Sequence, residues 1–327
     1  MRLLAFLAFL LAAAPGQAEC LGRNLIAALP QDQRASLAAA TDAVPFARGN
    51  FWRAQKHGQS LTLVGTFHLD DPRHDVVMAW LEPQVHAART LLVEAGPEEM
   101  AALTALISAE PQRLVNTTGP TLPEALPEAD WLRLSDALRS RGIPPFMAAK
   151  MQPWYVSTLL AVPACQFAEA AKMNGLDQRL MAMAQTAGVP IAALEPFDTL
   201  FTIFDSVKGA DQLAMLIQSL DAAAGNDDMA VTLADSYFSG DSRQFWEFSK
   251  LHLQTRNGLT PAQADLEFAL VDTAMLTRRN AAWIAPIEDA AARGPVVVAF
   301  GALHLSGEMG VLNLLSQRGW TLTALAP

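Results

Sequence analysis

Two short segments of this sequence share the spacing glycine-x-x-histidine, and each follows an apolar run typical of a buried strand. The segments are Gly65-Thr66-Phe67-His68 and Gly301-Ala302-Leu303-His304. Two further apolar runs end in a carboxylate, at Glu94 and Glu195. Glycine at a strand end allows the chain to turn sharply over the sheet edge. Because sites in open parallel sheets form at the carboxyl ends of strands, we expect these imidazoles and carboxylates to converge.

Neutral imidazoles and a carboxylate are a ligand set for a catalytic transition metal with an open coordination position. We therefore expect His68, Glu94 and His304 to bind a metal that activates water and polarises a carbonyl group. Without a metal, one histidine would act as general base on water while a carboxylate holds its tautomer. His74, in an aspartate-rich loop shortly after His68, is a further candidate ligand.

Several other chemistries lack their sequence motifs. The chain contains no G-x-S-x-G elbow, no phosphate-binding P-loop, no G-x-G-x-x-G and no H-E-x-x-H. A serine hydrolase, a kinase, a dinucleotide enzyme and a zincin are therefore each unsupported. Ordinary interpretations of the candidate residues stay open, since Glu94 could cap a helix and Glu195 could begin a loop.

Strands near both ends of the chain, with helices between them, must position these residues. The pattern predicts an α/β fold with a mixed central sheet, parallel core strands and an N-terminal β-hairpin over residues 51–65. Further strands are predicted at 90–94, 191–195, 295–301 and 320–325. A large helical insertion is predicted at about 97–290, and we expect residues 19–327 to form a single domain.

The first residues have the features of a cleavable signal peptide. Arg2 precedes an apolar run that is too short to span a bilayer, and Pro15 ends it. Small residues at Gly16 and Ala18 predict cleavage after residue 18. Since no later segment has a long uninterrupted apolar run, we expect no membrane span after cleavage and a periplasmic or secreted protein.

The net charge bears on the class of binding partner, and the cysteine content bears on a disulfide. The formal net charge of the 327-residue chain is −10, which disfavours nucleic acid as a partner because phosphates would be repelled. A peptide or small-molecule substrate is expected instead. The only cysteines, Cys20 and Cys165, would lie in an oxidising compartment, which favours a disulfide between them over two free thiols.

Taken together, the motifs resemble those of the TraB/GumN family, which includes the Tiki proteins. The hairpin and the first glutamate match the family elements "LxGTxH" and "LVVE". A middle element, an "RN" pair and a C-terminal "GxxHLxGxxG" element also match. The matching segments are Leu63–His68, Leu91–Glu94, Gly175–Leu180, Gly188–Glu195, Arg279-Asn280 and Gly301–Gly310.

The resemblance implies a fold related to erythromycin esterase and the haem-binding ChaN proteins. It also implies an active site of His68, Glu94 and His304, supported by Arg279, Asn280 and Glu195. Tiki relatives are metal-dependent proteases that use manganese or cobalt. We therefore expect an exported peptidase or amidase that depends on Mn, Co or Zn, with Arg279 stabilising an oxyanion and Asn280 or Glu195 orienting a partner.

Two alternatives remain open at this stage. One is a hydrolase that uses a histidine base without a metal. The other is a non-catalytic periplasmic module that binds a peptide, a haem or another small ligand in the same cleft. With only Tyr155 and Tyr237 as tyrosines, a histidine would have to serve as the axial ligand of haem.

Overall fold

A computed structural model describes residues 20–205, 207–223, 226–257 and 260–327. The predicted signal peptide, residues 1–18, lies outside these ranges. In the described chain, a six-stranded mixed sheet has the order β4-β3-β5-β2-β1-β6. The strands are β1 (Phe51–Lys56), β2 (Gln59–Thr66), β3 (Thr90–Val93), β4 (Ile191–Ala193), β5 (Val296–Gly301) and β6 (Thr321–Leu325).

The four strands from β4 to β2 run parallel, and β1 pairs antiparallel with both β2 and β6. Hairpin β1–β2 turns at His57 and Gly58, which both have positive φ. The predicted fold class is therefore confirmed, including the hairpin. The predicted strand at 191–195 is shorter than expected, because pairing with β3 ends at Ala193.

Helices cover both faces of the sheet, as parallel strands require. The first half of the chain contains α1 (Gln31–Asp42), α2 (His74–Ala87), α3 (Pro97–Ala109), α4 (Leu122–Ala125), α5 (Glu128–Arg139), α6 (Pro145–Ala148), α7 (Pro153–Ala161), α8 (Phe167–Ala170) and α9 (Leu176–Ala187). The second half contains α10 (Thr199–Asp205), α11 (Gly209–Ala223), α12 (Asn226–Phe238), α13 (Ser242–Asn257), α14 (Pro261–Asp272), α15 (Arg278–Ala291) and α16 (Val311–Gln317). Strand β4 divides the predicted helical insertion into two stretches.

The apolar core is built on β5, whose residues Val296 to Phe300 are buried. On one face, Val297 and Ala299 pack with side chains of α2, α9 and α12. On the other face, Val298 and Phe300 pack with side chains of α15 and α16. Successive side chains of β5 point to opposite faces of the sheet, so this one strand packs against a helical layer on each side.

A separate cluster of apolar side chains joins α4, α5, α7 and α11. The N-terminal segment is held by Cys20, which forms a disulfide with Cys165, so the predicted pairing is confirmed. Backbone N–H groups of Arg23 and Leu25 donate to Asp228 and to the hydroxyl of Thr232 on α12. In the described part of the chain, no helix is both long and apolar enough to cross a membrane.

Candidate active site

The parallel strands end at one edge of the sheet, and the residues that follow them meet there. Thr66 is in register with Gly301, and Val93 is in register with Ala299 and Ala193. The chain therefore brings together four residues predicted from the strand-end motifs. These are His68, Glu94, Glu195 and His304.

Gly301, the last residue of β5, lies at the centre of this group. A Cβ placed on Gly301 would lie 3.2 Å from His68 Nε2 and 3.4 Å from Glu94 Oε1. The same point is 3.7 Å from Cδ2 of His304. Because Gly301 has no side chain, these three groups face a common space that could hold a water molecule or a reacting atom.

Glu94 is held by donors from two elements. Its Oε1 accepts a hydrogen bond from the Gly301 N–H at 2.7 Å, and its Oε2 accepts one from Arg279 Nη2 at 2.5 Å. Burial works against the charged form, but the charges of His68 and Arg279 and the Gly301 N–H lower the pKa of Glu94. The carboxylate is therefore ionised and fixed in orientation.

Arg279 bridges the two glutamates. Its Nε donates to Glu195 Oε2 at 2.7 Å, and its Nη2 donates to Glu195 Oε1 at 2.8 Å. Nη1 donates to the Met275 carbonyl at 3.0 Å and lies 3.4 Å from His304 Nε2. Trp283 Nε1 also donates to Glu195 Oε2, at 3.3 Å. Arg279 is thus positioned to hold the two carboxylates rather than to stabilise negative charge that develops on a substrate.

The helix that presents Arg279 is irregular where it enters the site. Residues Thr273–Thr277 form a π-helical turn between α14 and α15. Met275, whose carbonyl accepts from Arg279 Nη1, lies within this turn. Single π-turns are frequent at functional sites, because they redirect side chains without ending the helix.

His304 is buried and its tautomer is set by Asn280. Nδ2 of Asn280 donates to the Met309 carbonyl at 2.9 Å, so Oδ1 of the amide faces His304 Nδ1 at 2.5 Å. Nδ1 of His304 therefore carries the proton, and Nε2 turns toward Glu94 Oε1, 3.9 Å away. Burial, together with the charge of Arg279, lowers the pKa of His304 even though Glu94 opposes the shift, so the ring is neutral.

His68 is the accessible imidazole, with 61% of its side chain exposed. Its Nδ1 donates to Asp177 Oδ1 at 3.2 Å, which leaves Nε2 toward Glu94 and Gly301. Desolvation lowers the pKa of His68, but the hydrogen bond and charge of Asp177, with the charge of Glu94, outweigh it and raise the pKa to about 9. Water that reaches the exposed ring screens part of this shift.

Asp177 was absent from the site predicted from the sequence. It lies in the first turn of α9, whose N-cap, Gly175, is packed so closely that a Cβ there would lie 2.3 Å from the His68 carbonyl oxygen. The Leu176 N–H donates to the carbonyl oxygen of Phe67 at 3.0 Å. The signal for this contact was the glycine-x-aspartate pattern of Gly175 to Asp177, which the family resemblance contained.

Arg179 fixes the same helix to the loop after His68. Its Nη2 donates to Asp70 at 2.5 Å and its Nη1 to Asp75 at 2.7 Å. Asp70 lies two residues after His68, and Arg179 lies two residues after Asp177. The ion pairs therefore hold both members of the His68–Asp177 pair in place. His74, the further candidate ligand, is instead buried, 5.2 Å from the ring of Phe238.

The donor atoms of the predicted metal site are of the right types, but they do not fit a metal ion as they lie here. Within the described ranges, the sole group of three metal-binding side chains with ligand atoms within 4.8 Å of one another is Cys20, Cys165 and Asp227. Those sulfurs form the disulfide and are not thiolate ligands. At the predicted site, the Arg279 cation contacts both Glu94 and His304, so we derive no step through a metal.

A family model matches most of the chain. The model described as the TraB/PrgY/gumN family matches residues 50–324. The match includes the hairpin, both glycine-x-x-histidine segments, Asp177 and Arg279. No curated protein matches the chain.

Proposed function

The chain belongs to the TraB/PrgY/gumN family, and on that premise we propose that it hydrolyses an amide bond with a water molecule activated by His68. The observation that carries this proposal is the convergence of His68 Nε2 and Glu94 Oε1 on the space beside Gly301. Water in that space would lie within reach of a base and of a fixed acceptor, as general base catalysis requires. The expected substrate is a peptide or small amide.

The reaction follows from the hydrogen bonds of the site. Asp177 holds the Nδ1–H of His68, so Nε2 has the lone pair that accepts a proton from water. Glu94 accepts the other water proton as a hydrogen bond and orients the oxygen toward the substrate carbonyl. The water oxygen bonds to the carbonyl carbon, the carbon–nitrogen bond breaks, and the His68 imidazolium returns its proton to the leaving nitrogen.

Arg279 and His304 act through Glu94 in this scheme. Arg279 donates to both glutamates and so fixes the Glu94 carboxylate. His304 is neutral and packs against Trp283 at a ring distance of 4.4 Å, and its unprotonated Nε2 accepts from Arg279 Nη1 at 3.4 Å, so it helps to hold the arginine that fixes Glu94. We assign both as positioning residues, which replaces the oxyanion role expected for Arg279.

The test is cleavage of a peptide library and of small amides by the purified protein, beside two matched pairs of variants. His68→Ala should abolish cleavage, while His86→Ala, at an exposed site on α2, should not. Glu94→Gln should likewise abolish cleavage, while Glu98→Gln on the exposed side of α3 should not. Cleavage that survives both His68→Ala and Glu94→Gln would overturn the proposal, and ligand binding without cleavage would favour the binding module.

A further inference from the structure

A cavity of about 550 Å³ lies in the helical layer above the sheet. Its walls come from α7, α11, α12, α13 and α14, with Leu160, Leu233 and Phe245 among the apolar lining residues. Leu69, the residue directly after His68, also lines it. The cavity therefore reaches the loop that carries the proposed base.

The serine and aspartate side chains of the lining are directed elsewhere, and Gln218 and His252 are its other polar residues. The hydroxyls of Ser157, Ser219 and Ser249 donate to carbonyls four residues earlier in their own helices, at 3.0, 2.8 and 2.8 Å. Asp221 is paired with Arg133. These serines have already used their donors, and the one carboxylate among the lining residues has a cation beside it.

The lining favours one of two kinds of ligand, a peptide or an alkyl chain. A peptide would bring an N–H and a carbonyl with every residue, and each would need a partner inside the cavity. An alkyl chain has no such groups and needs only apolar surface and volume. Cavities of this size are in the usual range for small-molecule ligands. The lining therefore favours an alkyl chain.

We propose that the cavity binds the acyl chain of an N-acyl amide whose carbonyl lies at His68. This inference rests on the proposed function, since it names the substrate class of the same site. The chain would enter beside Leu69, the residue next to His68, and its carbonyl carbon would then lie toward His68 Nε2. Water would supply oxygen to that carbon, and the products would be a fatty acid carboxylate and a free amine.

Binding is measured separately from hydrolysis, so that the two proposals can fail independently. The binding probe is dansyl-undecanoic acid, whose fluorescence rises in apolar surroundings, titrated into wild type and His68→Ala. Ser219→Phe and Ser249→Phe, which fill the cavity, should weaken binding roughly tenfold or more, as overpacking opposes a bound ligand. Ser140→Phe, the same change at an exposed position on the same helical layer, should leave binding unchanged.

Hydrolysis is measured on acetyl, hexanoyl, decanoyl and myristoyl p-nitroanilides. The rate should rise from acetyl to decanoyl in wild type and in Ser140→Phe, and Ser219→Phe should remove the rise. Folded Phe variants, checked by circular dichroism, that bind the probe like wild type would overturn the acyl-chain proposal. Probe binding that is lost in the Phe variants, with neither a p-nitroanilide nor a library peptide hydrolysed by wild type, would overturn the proposed function and leave the cavity assignment standing.

Discussion

Both imidazoles of the site bind an oxygen acceptor through Nδ1 and turn Nε2 toward Glu94. Asp177 is the acceptor for His68, and Asn280 is the acceptor for His304. Asp177 is charged and the Asn280 amide is neutral, and the two imidazoles also differ in their protonation state. The aspartate favours the imidazolium of exposed His68, whereas burial and the charge of Arg279 keep His304 neutral. A single site thus contains one histidine suited to proton transfer and one suited to positioning.

The pH dependence of cleavage should report on the Asp177 pair. A base works only when unprotonated, so the rate should rise with pH through the pKa of His68, which Asp177 and Glu94 raise to about 9. Asp177→Asn removes the charge that raises this pKa, so the rise should move to lower pH. The maximal rate should fall roughly a hundredfold, because the ring loses its orientation. A pH-rate profile checks both effects, with the exposed Asp136→Asn as control.

Metal removal tests the earlier expectation of a Mn, Co or Zn enzyme. Since Arg279 contacts Glu94 and His304, we expect dialysis against a chelator to leave the cleavage rate unchanged. Elemental analysis of the dialysed protein should find less than one metal ion per chain. A stoichiometric metal whose removal abolishes cleavage, and whose return restores it, would instead support the metal-dependent mechanism.

At the scale of elements, the strand ends and the first turn of α9 assemble the site. The two strand-end glycines have different tasks. Gly65 is in close contact with its surroundings, since a Cβ there would lie 2.6 Å from Leu305 Cδ1 and 3.0 Å from the Cα of Ala302. Gly301 instead borders the space that the proposed water occupies. Similar motifs therefore serve packing at one strand and reaction space at the next.

Alanine at these two glycines should separate stability from activity. Gly301→Ala should lower the cleavage rate about a hundredfold, because the new methyl displaces the reacting groups, with little change in unfolding free energy. Gly65→Ala should destabilise the fold by about 1–3 kcal/mol, because Leu305 and the backbone must shift. Chemical denaturation and cleavage assays on both variants check this. Equal loss of stability in the two variants would contradict it.

Sequence patterns predicted the elements whose bounds depend on their own residues. The hairpin and β5 could be predicted because an apolar run and a turn define each one. Strand β4 is shorter than predicted, because its end is set by pairing with β3 rather than by its own residues. Asp177 could not be derived from spacing, since it reaches His68 through the packing of α9 against a loop over one hundred residues earlier. Such contacts depend on tertiary structure.

At the scale of the whole molecule, the disulfide joins the N-terminal segment to the helical layer that contains the cavity. Cys165 follows Pro163, which lines that cavity. The segment beyond Cys20 is also bound to α12 by Asn24, whose Nδ2 donates to Asp235 at 3.0 Å. The link therefore supports the wall of the proposed acyl site. Export to an oxidising compartment stays a prediction, which cell fractionation would test.

Loss of the disulfide should lower stability. The bridge connects residues separated by 145 positions, and closing so long a loop restricts the unfolded chain strongly. We expect Cys20→Ser combined with Cys165→Ser to lower the unfolding free energy by about 2–5 kcal/mol. Urea denaturation of the double variant, beside reduced and oxidised wild type, measures this. Equal midpoints for all three proteins would show that the bridge does not stabilise the fold.

The order of the strands has a consequence for the time at which the protein becomes active. Strand β5 lies between β3 and β2, yet the ribosome makes it after all the helices that separate it from β3. A nascent chain therefore has His68 and Glu94 but neither the strand between them nor His304. Any fragment released early by a stalled ribosome or a protease would lack the reaction centre. The proposed hydrolytic activity can arise only after β5 and His304 have been made.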